Sequence, residues 1–196
     1  MHIEHIHRDH ILRHDLEQAT QGVYQRSYQA SIPEFPDHLV AVMGEDGTIL
    51  GSVGLRRDED MFFCEHYFSQ PIEVELSRAF KSVAQRQSIV EVTNLAGVRP
   101  GYVFELLYEV IQFSLNLNME FAVFTATQRL RKLLARMGLP FQVLGVATEE
   151  DVPLSQSWGQ YYEAKPYVCA VSRQELCDTG YIARFTIVKE KVPAYV

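Results

Sequence analysis

The chain has 196 residues, a formal charge of −7 and 47% hydrophobic residues. That length suits one well-buried domain rather than two full ones, and the acidic balance argues against nucleic acid or an anionic membrane as a general partner. No apolar run approaches the ~20 residues of a membrane span, the N-terminus lacks a secretion signal, and three unpatterned cysteines, Cys64, Cys169 and Cys177, point to a reducing cytoplasm. Ile3 and Ile6 suggest a short first strand, after which Asp9 caps a helix carrying Leu12, Leu16, Ala19 and Val23 on one stripe. Pro33 and Pro36 end that region. Leu39 to Met43 and Thr48 to Leu55 flank Gly44-Glu45-Asp46-Gly47, a strong hairpin signal. A charged loop from Arg56 to Asp60 leads into an aromatic cluster of Phe62, Phe63, Tyr67 and Phe68. Pro71 opens a short helix that buries Ile72, Leu76 and Phe80.

The stretch from Ser88 to Pro140 reads as an uninterrupted β-α-β-α unit. Ile89 to Ala96 is a buried-strand run that nevertheless carries Glu91 and Asn94. Pro100 and Gly101 open a helix with Val103, Leu106, Leu107, Val110, Ile111 and Ser114 on its buried face. Phe121 to Thr127 is the second strand, Thr127 the N-cap of a helix with Leu130, Leu133, Leu134 and Met137 inward, and Gly138 its C-terminal stop. Arg129, Lys132 and Arg136 fall outside that stripe and form a local basic patch. Phe141 to Leu144, Tyr167 to Val171 and Ile182 to Val188 read as late strands, with a polar loop at Thr148 to Ser157 and a helical piece near Gln174. In open α/β sheets ligands bind beyond the carboxyl ends of the strands. Here that means Asn94 to Val98 and Thr125 to Thr127.

This element order resembles the GNAT superfamily, an α/β class with a mixed central sheet flanked by helices. The first two strands of the central unit would then be parallel neighbours that splay apart to admit a pantetheine arm. Four strings in order sharpen the resemblance: Phe63-Cys64-Glu65-His66-Tyr67, Ile89 to Ala96, Phe124-Thr125-Ala126-Thr127 and Trp158-Gly159-Gln160-Tyr161-Tyr162. Together they resemble the thermostable haemolysin family, itself similar in fold to acyl-homoserine-lactone synthases. The chain departs from the family at Thr93, often glycine there, and at Cys64, often leucine. The likeness covers roughly Tyr24 to Val171, leaving 172–196 as an extension of a single domain over residues 1–196.

Glu91 is the first catalytic candidate, since an unpaired carboxylate in an apolar strand is costly unless it has a task or a partner. It would accept a proton from an attacking amine; the structural alternative is a pair with Arg56, Arg78 or Arg99. The resemblance implies an acidic residue at this site with arginine three positions on, where this chain has Asn94. A β-bulge would bring Glu91 and Asn94 toward one side, freeing amides near Asn94, Leu95 and Ala96 for the thioester oxygen or the pantetheine.

The turn at Arg99-Pro100-Gly101 is short and has one glycine, unlike the glycine-rich cradle that holds the CoA diphosphate. It suits the single phosphate of a carrier-protein phosphopantetheine, with Arg99, Gly101 and Thr125 at the donor site. Arg56, Glu65, Tyr67, Trp158, Tyr161 and Tyr162 would wall a substrate pocket. Glu65 and Tyr67 share a face if their segment is extended. His10 and His14 have metal-pair spacing but lack a third ligand, so a solvated N-terminal segment is the reading and no metal is expected. The expected activity is acyl transfer from acyl carrier protein or acyl-CoA to a small amine, with no permanently bound cofactor. The rivals are a membrane-active haemolysin and a non-catalytic binding module of the same fold.

Overall fold

Apolar residues in alternating register build a seven-stranded mixed sheet, described in a computed structural model for residues 1–99 and 101–184. In spatial order the strands are β1 (His2–Ile6), β2 (His38–Met43), β3 (Ile49–Arg56), β4 (Ile89–Gly97), β5 (Phe121–Ala126), β7 (Tyr167–Ser172) and β6 (Gln142–Val146). Every described neighbour pair is antiparallel except β4 and β5, which run parallel from Ile89 opposite Phe121 to Val92 opposite Phe124. This is the central β-α-β unit expected from the sequence, because parallel neighbours need a crossover helix.

Helices α1 (Arg13–Tyr28) and α2 (Ile72–Phe80) cover one face, and α3 (Val103–Asn116) and α5 (Arg173–Asp178) the other, with α4 (Gln128–Arg136) following β5. On the α2 side, Ile72 and Leu76 pack on Ile89, Phe121, Val123, Val168 and Ala170. On the other, Leu106 and Val110 of α3 pack on Val40, Val42, Val53, Leu55 and Val90. The period-two alternation along β4, Ile89 to one face and Val90 to the other, thus separates two cores.

Several expectations need correction. Asp9 does not cap α1: Leu12 holds the N-cap position without a side-chain cap, because backbone bonds from His10 to His7 and from Arg13 to His10 turn the chain first. The buried stripe of α1 is Leu16, Thr20 and Tyr24 rather than one including Ala19. Thr20 can sit inside because its hydroxyl reaches the Leu16 carbonyl at 2.8 Å and the Ser52 hydroxyl at 2.6 Å. Phe63–Tyr67 is a 3-10 turn, not an extended segment, so Glu65 and Tyr67 do not alternate onto one face. Phe80 is half-buried, tilted against Phe121 with ring centroids 5.3 Å apart.

Thr127 caps α4 as expected, its hydroxyl accepting from the Leu130 N–H at 3.4 Å, and Gly138 takes the left-handed φ of +71° that ends the helix. α3 begins at Val103, two residues after Gly101, and Pro100 lies outside the described residues. The expected strand at Ile182 to Val188 is not one where described: residues 181–184 are helical, with the Arg184 N–H donating to the Gly180 carbonyl. Its remainder, 185–188, lies outside the described residues. His2, His5, His7 and His14 are exposed, as a solvated segment would be, and His5 hydrogen-bonds His38 at 2.9 Å beside Phe113.

Candidate active site

The site begins where two strands part. β4 pairs with β5 only as far as Val92 and Phe124, while β5 continues to Ala126 along β7. Beyond Val92 the β5-facing backbone of β4 therefore has no ladder partner in β5. In the same place the β3–β4 register slips: Gly54 faces Thr93 and Ser52 faces Ala96, so β4 carries one residue more than β3 across the interval. Asn94 absorbs it with φ +50°, the left-handed conformation that asparagine tolerates better than most residues. The bulge reverses the strand's parity. Before it, Val90 and Val92 join the α3 core; after it, Leu95 joins that core and Ala96 packs with Tyr24, Trp158 and Tyr161. Thr93 donates its hydroxyl hydrogen to Asn94 Oδ1 at 2.8 Å and bars any side chain at Gly54, where a Cβ would lie 2.7 Å from Thr93 Oγ1 and 2.6 Å from Pro36.

Glu91 sits just before the bulge, 1% exposed. Its Oε2 accepts from the Phe63 N–H at 2.6 Å and its Oε1 from the Cys64 N–H at 2.8 Å. The carboxylate thus satisfies the orphan donors at the start of the 3-10 turn. Burial pushes the Glu91 pKa up from 4.5 to about 7, against the opposing pull of those two amides and of the nearby Arg56 charge. Arg56 is its cross-strand partner in the β3–β4 ladder. The alternative of an ion pair is not met: among the described residues no cation lies within 4.0 Å of Glu91. Arg78 instead pairs with Glu75 at 2.7 Å, and Arg99 is exposed.

A cavity of about 1290 Å³ opens at this point and draws its walls from both faces of the sheet. Of the residues expected at the site, Glu91, Asn94, Leu95, Arg99, Gly101, Thr125, Arg56, Tyr67, Trp158 and Tyr161 line it. Ala96 does not; its side chain is buried behind the aromatic wall. Glu65 lies elsewhere, clamped by Arg86 at 2.5 and 2.9 Å and accepting from the Ile72 N–H at 3.1 Å, which holds its pKa below the usual value. Tyr162 stands behind Tyr67, their hydroxyls 2.9 Å apart. Three cavity-lining groups have buried polar atoms with no partner among the described residues: Arg56 Nε, Thr125 Oγ1 and Trp158 Nε1. No cluster of three or more metal-ligating side chains occurs among the described residues.

Tyr24 and Tyr28, one turn apart on α1, also line the cavity and were missed in the sequence. Tyr161 stacks near Tyr24 at 6.3 Å and meets Tyr28 edge-on at 5.3 Å. The signal was present as two tyrosines at i,i+4, but the segment that meets them is more than a hundred positions away. Gly159 makes the meeting possible: at φ +50°, a Cβ there would lie 2.5 Å from the carbonyl oxygens of both Tyr28 and Gln29. Gln160 then donates to the Tyr28 carbonyl at 2.7 Å, and Ser31 to the Ser157 carbonyl at 2.6 Å.

The mixed sheet, its splayed parallel pair and its flanking helices define a GNAT-like fold of the acyltransferase type. The chain belongs to the thermostable hemolysin family, whose match runs over residues 6–177, wider than the Tyr24-to-Val171 span expected. Among solved structures it is similar to FeeM, an N-acyl amino acid synthase from uncultured soil microbes, with TM-score 0.60 at 12% identity, covering 87% of this chain and 92% of that one. It is similar to the CoA-dependent acyl-homoserine lactone synthase BjaI, with SAM and isopentyl-CoA, at TM-score 0.58 and 14% identity, covering 89% and 85%. The CoA-dependent synthase MesI gives 0.56 at 17% identity, covering 87% and 88%. A comparison with curated protein sequences found no match.

Proposed function

We propose that this protein is an N-acyltransferase of a single GNAT-like domain, moving an acyl group from a phosphopantetheine thioester to a small amine. The observation that carries the reading is a buried carboxylate beside the parting of two parallel strands. A thioester arm entering between β4 and β5 would bring its carbonyl to the bulge, where the backbone amides at Asn94 and Leu95 stabilise the developing oxyanion. The amine nitrogen attacks the carbonyl carbon; the C–N bond forms and the C–S bond breaks. Glu91, or a water it holds, takes the proton from the amine and passes it to the departing sulfur, which leaves as the thiol. A carboxyl poised near pH 7 is matched to that task.

The donor is anionic on either assignment, and the exposed Arg99, Arg129, Lys132 and Arg136 at the cavity edge favour such a donor in a chain of net charge −7. With no glycine-rich cradle at Arg99, an acylated carrier protein should serve at least as well as the matching acyl-CoA. Both would be met in the cytoplasm, where free Cys64, Cys169 and Cys177 also fit. Trp158, Tyr161, Tyr24 and Tyr67 support an apolar acceptor or acyl pocket.

The test is donor titration followed by single-turnover transfer, with intact-mass readout over a pool of amines. Arg99→Ala should weaken donor binding about 10- to 100-fold if it makes a charge-assisted phosphate contact. Glu91→Gln should keep donor binding and slow transfer. A clear preference for CoA, with full transfer by Glu91→Gln, would overturn the carrier-protein assignment and the base together.

A further inference from the structure

Among the described residues Arg56 has no salt-bridge partner. It is 8% exposed, and among the described residues its one side-chain hydrogen bond is a long one, from Nη1 to the Met61 carbonyl at 3.4 Å. Among the described residues its Nε–H has no partner, and no carboxylate oxygen lies within 4.0 Å of the guanidinium. Desolvating a guanidinium without pairing it is expensive. Glu91 is the nearby acid, yet both its oxygens are held by the amides of Phe63 and Cys64. Arg56 and Glu91 are directly opposed in an antiparallel ladder, so their side chains leave the sheet on the same face, with Cβ atoms about 5 Å apart. Both line the same cavity.

We propose that the acceptor carries a carboxylate as well as its amine, in the manner of an α-amino acid, and that Arg56 holds that carboxylate. A free Nε–H beside an Nη–H is the side-on fork that takes both carboxylate oxygens. An amine and a carboxylate sharing one carbon match the short span between Arg56 and Glu91, so a molecule anchored at Arg56 presents its nitrogen toward the base. Its side chain faces Phe63, Trp158 and Tyr161, which favours an apolar or aromatic residue, and the unpartnered Trp158 Nε1–H adds one donor to that wall. The assignment rests on the acyl-transfer reading for its chemistry, but the recognition itself can be measured without a donor.

The experiment compares phenylalanine, phenylalaninamide and phenethylamine, first by equilibrium binding to the protein alone and then as acceptors in single-turnover transfer. Phenylalanine should bind 10-fold or more tighter than the other two, and Arg56→Gln should abolish that preference in binding. Arg56→Lys, which keeps the charge but loses the fork, should fall between. Preference for phenylalanine in wild type, with no transfer to any amine, would sustain the carboxylate site and refute the enzyme. Transfer to all three with equal efficiency by the wild type would sustain the enzyme and overturn the site. Since the three-ligand comparison in wild type decides the matter, misfolding of an Arg56 variant would not leave it open.

Discussion

Replacing Glu91 by glutamine should change how stability depends on pH, and the sign follows from the site. Burial raises the folded-state pKa from 4.5 to about 7, while in the unfolded chain the group returns to its ordinary value. Between those limits the folded protein keeps a proton that the unfolded chain has released. The slope of unfolding free energy with pH follows the protons bound by the unfolded state less those bound by the folded one, so stability falls as pH rises through this window. The favourable contribution is complete below pH 4.5 and lost above about 7. At 1.36 kcal/mol per pKa unit, the full change is roughly 3 kcal/mol. Glutamine cannot ionise, and its single carbonyl oxygen can accept from only one of the two amides, so Glu91→Gln should be less stable than wild type at pH 5. That gap should narrow or reverse at pH 8. Urea denaturation of both proteins at pH 5, 6, 7 and 8 measures the difference, with other titrating groups cancelling in the comparison. Parallel pH profiles for the two proteins would refute the account of a desolvated carboxyl at position 91.

The same ionisation governs the proposed chemistry: kcat/KM for transfer should rise with pH to a plateau, with a midpoint near 7, and the Glu91→Gln profile should lack that inflection. Gly159→Ala should destabilise the protein by about 3 kcal/mol, from a left-handed φ combined with contact against two carbonyl oxygens, read as a shift in the urea midpoint; a change under about 0.5 kcal/mol would show that the loop yields freely. Despite the family's name, folded protein should release no dye from neutral liposomes if acyl transfer is its activity; rapid leakage from monodisperse protein would favour lysis over catalysis.

The β-α-β-α unit was legible because its signals are local: alternating apolar residues at Ile89 to Val92, a helical stripe through Leu106 and Val110, and Thr127 and Gly138 at the ends of α4. The bulge was legible only as a family expectation, since no residue type in Val92-Thr93-Asn94-Leu95 demands it, although Asn94 permits it. Phe63–Tyr67 misled for a physical reason. Its alternation of aromatic and polar residues suits a strand, but the carboxylate of Glu91, 28 positions away, caps its first amides and selects a 3-10 turn. The pairing of Glu65 with Arg86 rather than with a pocket has the same origin, since a turn points that side chain away from the cavity and toward α2. Long-range tertiary contacts decided these positions, and local pattern cannot report them.

Glu91 could be read as no more than a helix cap, and the energetics weigh against that reading. A cap at an exposed 3-10 turn gives its carboxylate water as well as amides, and its pKa drops. Here the cap is almost fully enclosed, its pKa moves the other way, and the residue opposite it is a buried guanidinium with an unused donor. A leucine or methionine at position 56 would fill comparable space without the desolvation cost, and buried charges replaced by apolar residues of similar volume often stabilise a fold. The fold therefore carries, beside a carboxyl that caps a turn, a buried guanidinium that its own packing does not require. They sit at the one described place where parallel strands separate and where Asn94 adopts a backbone conformation that costs free energy. Three unfavourable features in one cavity wall make sense together if a bound molecule offsets them, the carboxylate meeting an amine and the guanidinium an acid.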